Sequence, residues 1–288
     1  MNPPPGVNRL GGLTREGGAM GKKRLTLVGV LCLVSFGLSG SSLFGQTRDR
    51  FSELFSGKAK IVDLSYSLND STPHWPAAHY KPFHLETIAT LEKDGVLSKA
   101  FYTPEHLGTH MDAPNHFEKA QPSVDQVPVA QLFSPAVVVD VRKNVEADPD
   151  YRLTVDDLKD WEKKHGKIPK GSVVFMHTGW GKYWSDYEKY KNQDKGGVMH
   201  FPSFSKEAAE FLVKDRDIHG IGIDNLSIDY GMSKDFVVHH VINGAGKYGL
   251  ENIANLDKLP ESGAMLIVAP PKVETGTGGP TRIFAVLP

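Results

Sequence analysis

Between residues 106 and 116, the run His106-Leu107-Gly108-Thr109-His110-Met111-Asp112-Ala113-Pro114-Asn115-His116 gathers three imidazoles and one carboxylate. Imidazole nitrogen and carboxylate oxygen together suit a divalent ion of the zinc or manganese kind. The spacing constrains the backbone. Four residues of extended strand span about 13 Å, too far for parallel side chains at His106 and His110 to share one ion. A helical turn, or a bend at Gly108, brings positions i and i+4 to within about 6 Å. Pro114 biases Ala113 towards extended geometry. The expectation is a short turn that unwinds at Asp112, with His116 arriving from beyond the proline. Two histidines four apart are ordinary in themselves, but His-x3-His-x-Asp-x3-His with Gly and Pro inside it is much rarer. Histidine is also concentrated here: His74, His79, His84, His106, His110 and His116 are half of the chain's twelve.

Three ligands rarely complete a hydrolytic metal centre, so further partners are expected downstream. Val238-His239-His240-Val241 and Leu250-Glu251-Asn252 are the best candidates, with a Gly-rich turn between them. Inside that turn, Gly244-Ala245-Gly246-Lys247-Tyr248-Gly249 fits the G-x-G-x-x-G spacing of a dinucleotide site. No convincing strand precedes it and no acid sits where a ribose would be read, so nucleotide binding is not expected. The chain contains no G-x-S-x-G elbow, which removes the serine-hydrolase route. Its one cysteine, Cys32, lies in the N-terminal leader. Disulfides, thiolate zinc ligands and a cysteine nucleophile are therefore excluded from the mature chain.

The elements that must position these groups alternate loosely between strand and helix. Ile61-Val62-Asp63-Leu64-Ser65-Tyr66 has strand alternation, and Pro73-His74-Trp75-Pro76 reads as a stiff aromatic loop. Ala136-Val137-Val138-Val139-Asp140-Val141 and Val173-Val174-Phe175-Met176 read as buried strands. Residues 218–223 form a glycine-bearing strand ending at Asp224, and residues 264–269 and 282–287 are two more. Thr154 caps a helix running to about His165, and Ser205 caps an amphipathic helix to about Val213. Residues 182–199, rich in Tyr and Lys, read as an exposed insertion. No linker is visible after residue 60. The expected organisation is an N-terminal extension and signal peptide over residues 1–45, a lead-in over 46–60, and one α/β domain over 61–288.

In the extension, Lys22-Lys23-Arg24 precedes an apolar run over residues 25–38 and then Ser39-Gly40-Ser41-Ser42. That order is a secretory signal peptide, and it places the true start at Met20 and cleavage near residues 39–46. The run is shorter than the roughly 20 residues of a membrane span, so no stable anchor is expected after cleavage and the mature protein is periplasmic or secreted. A net charge of −1 with 40% hydrophobic residues fits a soluble enzyme. No basic block with interleaved aromatics points to nucleic acid.

The run from His106 to His116 also resembles the His-x-Gly-Thr-His-x-Asp-x-Pro-x-His signature of the metal-dependent cyclase family, whose branches include kynurenine formamidases and isatin hydrolases. The resemblance covers about residues 61–287. It implies a single compact domain of the swivelling β/β/α type with a barrel-like mixed sheet, assembled as a dimer or tetramer. It implies His106, His110, Asp112, His239 and Glu251 as metal ligands, holding one or two ions of zinc or manganese, with Asp112 and Glu251 bridging where two are held. His240 is left as a bystander. His116 is implied as general base and acid, and Trp75 as the aromatic facing the substrate. Asp224-Asn225-Leu226-Ser227-Ile228-Asp229 resembles a further segment near the family's site, although a strand end with local turn bonding explains it equally. Thr178-Gly179-Trp180 matches too, and a buried Trp accounts for it.

The implied chemistry is hydrolysis of the C–N bond of a small aromatic cyclic amide or N-formyl aryl amine by metal-activated water. An imidazole beyond the ligands would take and return the proton. Formylkynurenine breakdown belongs in the cytoplasm, whereas this chain carries an export signal. The wording Tyr248-Gly249-Leu250-Glu251-Asn252 is also closer to the isatin-hydrolase branch, which favours the cyclic amide. The competing reading is an exported, non-catalytic protein that binds metal or an aromatic acid. The presence of His116 argues against it, since a pure binder needs no free imidazole.

Overall fold

A computed structural model describes residues 52–288; the expected signal peptide, with Cys32, lies outside the described residues. Thirteen strands follow in chain order: β1 (Ile61–Asp63), β2 (His84–Ala89), β3 (Ser98–Tyr102), β4 (His110–Asp112), β5 (Phe133–Asp140), β6 (Arg152–Leu153), β7 (Val173–His177), β8 (Ser203–Phe204), β9 (Gly220–Ile223), β10 (Tyr248–Glu251), β11 (Ser262–Ala269), β12 (Gly278–Pro280) and β13 (Arg282–Val286). Nine of them form one mixed, barrel-like sheet in the order β1-β13-β11-β5-β7-β9-β10-β4-β12. The central strands β5, β7, β9 and β10 are parallel, and antiparallel strands flank them on both sides. β2 and β3 make a separate hairpin, and β6 and β8 a short parallel pair.

The near-continuous apolar runs of β5 and β7 are explained by burial on both faces. Val137, Val139, Val174 and Met176 enter one core with Trp161, Phe204 and Ile242. Their neighbours Ala136, Val138, Val173 and Phe175 enter a second core with Met111, Tyr248 and Leu250. Side chains alternate across a strand, so each strand feeds both cores. Each fully buried aliphatic or aromatic side chain contributes roughly 1.5–3 kcal/mol. The helix Val155–His165 begins at Thr154, whose side chain and that of Asp157 cap each other's backbone amides. A second helix runs over Lys206–Phe211 from a Ser205 cap, as its sequence predicts.

Two expectations are corrected, at the turn after His106 and over residues 182–199. The turn expected between His106 and Asp112 is the bend alternative: Gly108 has φ +64°, and His110–Asp112 is strand β4. A Cβ at Gly108 would stand 2.6 Å from Leu68 Cδ2, so only glycine fits this bend. Residues 182–199 are not simply an exposed insertion. They contain the short helix Tyr187–Lys191, whose Tyr190 is fully buried with its hydroxyl 2.9 Å from Asn252 Oδ1. The apparent dinucleotide fingerprint joins the end of the helix Val237–Gly244 to β10. That is helix followed by strand, the reverse of a phosphate-binding βα turn. No helix among the described residues is long and apolar enough to cross a membrane.

Candidate metal centre

In β4 the two-residue period of a strand places His110 and Asp112 on one face, while Met111 enters the core behind. The register then brings a second carboxylate to them. Glu251 of β10 pairs with His110, and Gly249 pairs with Asp112. On the other side Gly278 of β12 also pairs with Asp112. The glycine at 249 makes room: a Cβ there would lie 3.0 Å from Asp112 Oδ2. His239 comes from the first turn of the helix Val237–Gly244, which packs over this face of the sheet.

These side chains converge with the unused nitrogens facing inward. His110 Nδ1 lies 2.8 Å from Gly108 O, leaving Nε2 3.2 Å from Asp112 Oδ1 and 3.4 Å from Glu251 Oε2. His239 Nδ1 lies 2.7 Å from Asp229 Oδ2, leaving Nε2 3.3 Å from Glu251 Oε1 and 3.5 Å from Asp112 Oδ2. His106 differs from both. Its Nδ1 meets Asp112 Oδ1 at 2.6 Å and its Nε2 meets Thr277 Oγ1 at 2.9 Å.

His110, Asp112, His239 and Glu251 are all buried. His110 Nε2 and Asp112 Oδ2 have no hydrogen-bond partner. Leaving buried polar groups unmatched costs about 1–3 kcal/mol each, and more for a charge, so these atoms fit a group that the protein itself does not supply. Ligand atoms of two triads, His106–His110–Asp112 and Asp112–His239–Glu251, each lie within 4.8 Å of one another and share Asp112. Burial works to lower the His110 pKa, but the carboxylates of Asp112 and Glu251 outweigh it and push it up to about 9. Burial likewise works to raise Asp112, and the imidazoles around it hold it well below the usual carboxylate range instead. Two buried carboxylates and two buried imidazoles thus meet in one pocket.

His116 stands apart from the converging atoms. It ends the 3-10 turn Pro114–His116 and stacks on His106, with ring centroids 3.7 Å apart. Burial pushes its pKa down to about 3, with the imidazoles of His106, His239 and His110 adding to the effect against the pull of Asp112. Burial thus favours its neutral imidazole form.

The cavity is small, about 200 Å3, and Trp75, Tyr80, His116, Phe117, Phe236 and Ser227 are among its walls. Trp75 reaches it because His74 pairs with Leu107, one residue past His106. Its ring meets Phe236 edge-on at 6.0 Å. His106, His110, Asp112, His116, His239, Glu251 and Trp75, the seven residues that the resemblance implies for the site, therefore border one cavity. His240 does not; it is half-exposed and paired with Glu118 at 2.8 Å. Asp224 faces elsewhere, accepting hydrogen bonds from Thr178 and Gly179. Thr277 and Asp229 were not singled out. Asp229 answers a need set by Phe236, which begins the helix and has no side-chain oxygen to cap its amides.

The family model described as "Putative cyclase" matches residues 62–230. Isatin hydrolase of Roseibium aggregatum is 36% identical over 251 residues, covering 82% of this chain and 95% of that protein. The chain belongs to the cyclase family. Among other cyclase relatives, kynurenine formamidase of Bacillus cytotoxicus is 26% identical over 226 residues, covering 77% of this chain and 94% of that protein. The crystal structure of an isatin hydrolase bound to the product analogue thioisatinate superposes with a TM-score of 0.79 at 33% identity, covering 86% of this chain and 99% of that one.

Proposed function

We propose that this cyclase is a metal-dependent amidohydrolase that opens a small aromatic cyclic amide of the isatin kind. The observation that carries the reading is the pair of unpartnered buried atoms, His110 Nε2 and Asp112 Oδ2, set beside a neutral imidazole in an aromatic-walled cavity. The 36% identity to an isatin hydrolase favours the cyclic amide. The kynurenine formamidase relatives keep an N-formyl aryl amine as the second reading. His110, His239, Asp112 and Glu251 would hold a divalent cation, with His106 completing the shell; zinc and manganese both accept this donor set. Two triads sharing Asp112 favour room for two ions. A divalent cation there supplies Lewis acidity towards a carbonyl and a nucleophilic water near neutral pH.

The remaining work falls to side chains. Trp75, Phe117 and Phe236 flank the planar ring and exclude bulk water. A ring nitrogen of His116 takes a proton from the attacking water and returns it to the amide nitrogen as the C–N bond breaks. Turnover of isatin and of an N-formyl aryl amine by chelated and ion-reloaded protein tests the assignment. Metal-dependent opening of isatin is expected. An ion-loaded protein that hydrolyses neither compound contradicts it and favours the non-catalytic binder.

Export is proposed from Lys22-Lys23-Arg24 and the apolar residues that follow, and N-terminal sequencing from an exporting host tests it. A mature chain retaining residues 20–38 would show an anchor. Assembly as a homo-oligomer is favoured by the β2–β3 hairpin. It exposes Leu85, Ile88, Phe101 and Tyr102, and a lone hairpin is only marginally stable in water.

A further inference from the structure

We propose that Asp229 is a positioning residue for the centre: its carboxylate holds His239 so that Nε2, and not Nδ1, is presented to Asp112 and Glu251. The inference rests on the reading of this cluster as a metal site. Asp229 is 1% exposed. One of its oxygens accepts from the amide of Val238 at 2.9 Å. The other accepts from the amide of His239 at 3.1 Å and lies 2.7 Å from His239 Nδ1.

The helix itself explains why a distant carboxylate is needed. It begins at Phe236, a bulky residue held at φ +47° with no side-chain oxygen to offer. The first amides of a helix have no partner within it, and a negative charge is favoured at that end. Asp229 supplies both from outside the helix. The same carboxylate therefore starts the helix and grips the imidazole that its first turn carries.

That grip decides which nitrogen is free. A neutral imidazole has one donor and one acceptor nitrogen. A nitrogen facing a carboxylate must be the donor, so the lone pair is left on Nε2, towards Glu251 Oε1 and Asp112 Oδ2. His110 reaches the same state through the backbone carbonyl of Gly108. The two ligands thus use the same tautomer, one set by main chain and one by a replaceable side chain. Residue 228 adds to the arrangement, its amide donating to Glu251 Oε1 at 2.9 Å. Consecutive residues of one loop aim two ligands.

Asparagine cannot reproduce this. Three donors face the two oxygens of Asp229, and an amide nitrogen in either place sets donor against donor. Losing such an outer partner typically lowers metal affinity 10- to 100-fold.

The test is calorimetric titration of the full chain, stripped of metal, with Zn2+ alone. It uses wild type, Asp229→Asn, His239→Ala and the double variant. Asp229→Asn is expected to bind about 10–100-fold more weakly. In the His239→Ala background the same change should cost nothing further, because Asp229 acts through His239. Nitrogen-15 NMR of zinc-loaded wild type should find His239 protonated at Nδ1. Equal affinity in Asp229→Asn, the same loss in both backgrounds, or a proton on Nε2 overturns the proposal. If Asp229→Asn does not fold, the NMR result on wild type decides. Wild type that binds no zinc overturns the metal reading as well; wild type that binds while Asp229→Asn binds equally overturns this inference alone.

Discussion

Two cavities among the described residues differ greatly in size, and the smaller one gathers the candidate metal ligands. The larger, about 810 Å3, opens at the carboxyl ends of β5, β7 and β9, where Arg142, His177 and Asp224 are among its walls. Its buried carboxylate is saturated: Asp224 accepts from Thr178 N, Thr178 Oγ1 and Gly179 N at 3.0, 2.6 and 2.8 Å. Arg142 is forked onto Asp140. The smaller, about 200 Å3, contains Asp112 Oδ2 and His110 Nε2, buried and unmatched. No described residue with such an unmatched buried atom lines the larger cavity. Volume measures what could fit, whereas unmatched buried polarity measures what is missing. Native proteins keep few such atoms, and a pair of them in one pocket marks a binding site.

Changes in the two cavities should separate accordingly. The largest effect is expected from Asp112→Asn, which removes the charge shared by both triads while keeping the shape. Metal content and amide hydrolysis should fall together to background, as read by elemental analysis and a spectrophotometric assay. His116→Ala comes next. It should keep its metal yet lose about 10²–10⁴-fold in rate, the usual contribution of general acid–base catalysis. A metal-depleted His116→Ala protein would make that residue a ligand and the base some other group. Third is Asp224→Asn in the larger cavity, where one oxygen is exchanged for an amide that faces the Gly179 or Thr178 donors. It should destabilise the fold by about 1–3 kcal/mol, measured by urea unfolding, with metal content unchanged. Smallest is Lys182→Ala on the wall of the same cavity. Stability should stay within about 0.5 kcal/mol and turnover should match wild type; a lost rate there would bring the larger cavity into the reaction.

Much of this was legible in the sequence, and the reasons differ by element. The runs at Val137–Val139 and Val173–Met176 carry their burial in their composition, so β5 and β7 could be read directly. The cluster at His106, His110 and Asp112 was legible because its members are local in the chain. Its geometry was not. Helical and strand spacings both bring two of these groups together, but in different pairs, and the pairing with Gly249 and Gly278 that makes room for Asp112 is a tertiary property. Asp229 was inside a segment already noted, yet its partner His239 is ten residues on and belongs to a different element. Residues 182–199 misled because their Tyr and Lys content is that of a surface, while Tyr190 is drawn inward to Asn252 and Tyr183 and Trp184 pack against the core. Local composition shows neither a missing helix cap nor which rings turn inward.

The most direct measurement is the metal content of wild type, Asp112→Asn and Asp224→Asn, purified identically and dialysed against the same trace of zinc and manganese. Wild type and Asp224→Asn should retain divalent metal in stoichiometric amounts, and folded Asp112→Asn should retain none. Equal metal in Asp112→Asn, or its loss from a folded Asp224→Asn protein, would contradict the placement of the centre in the smaller cavity.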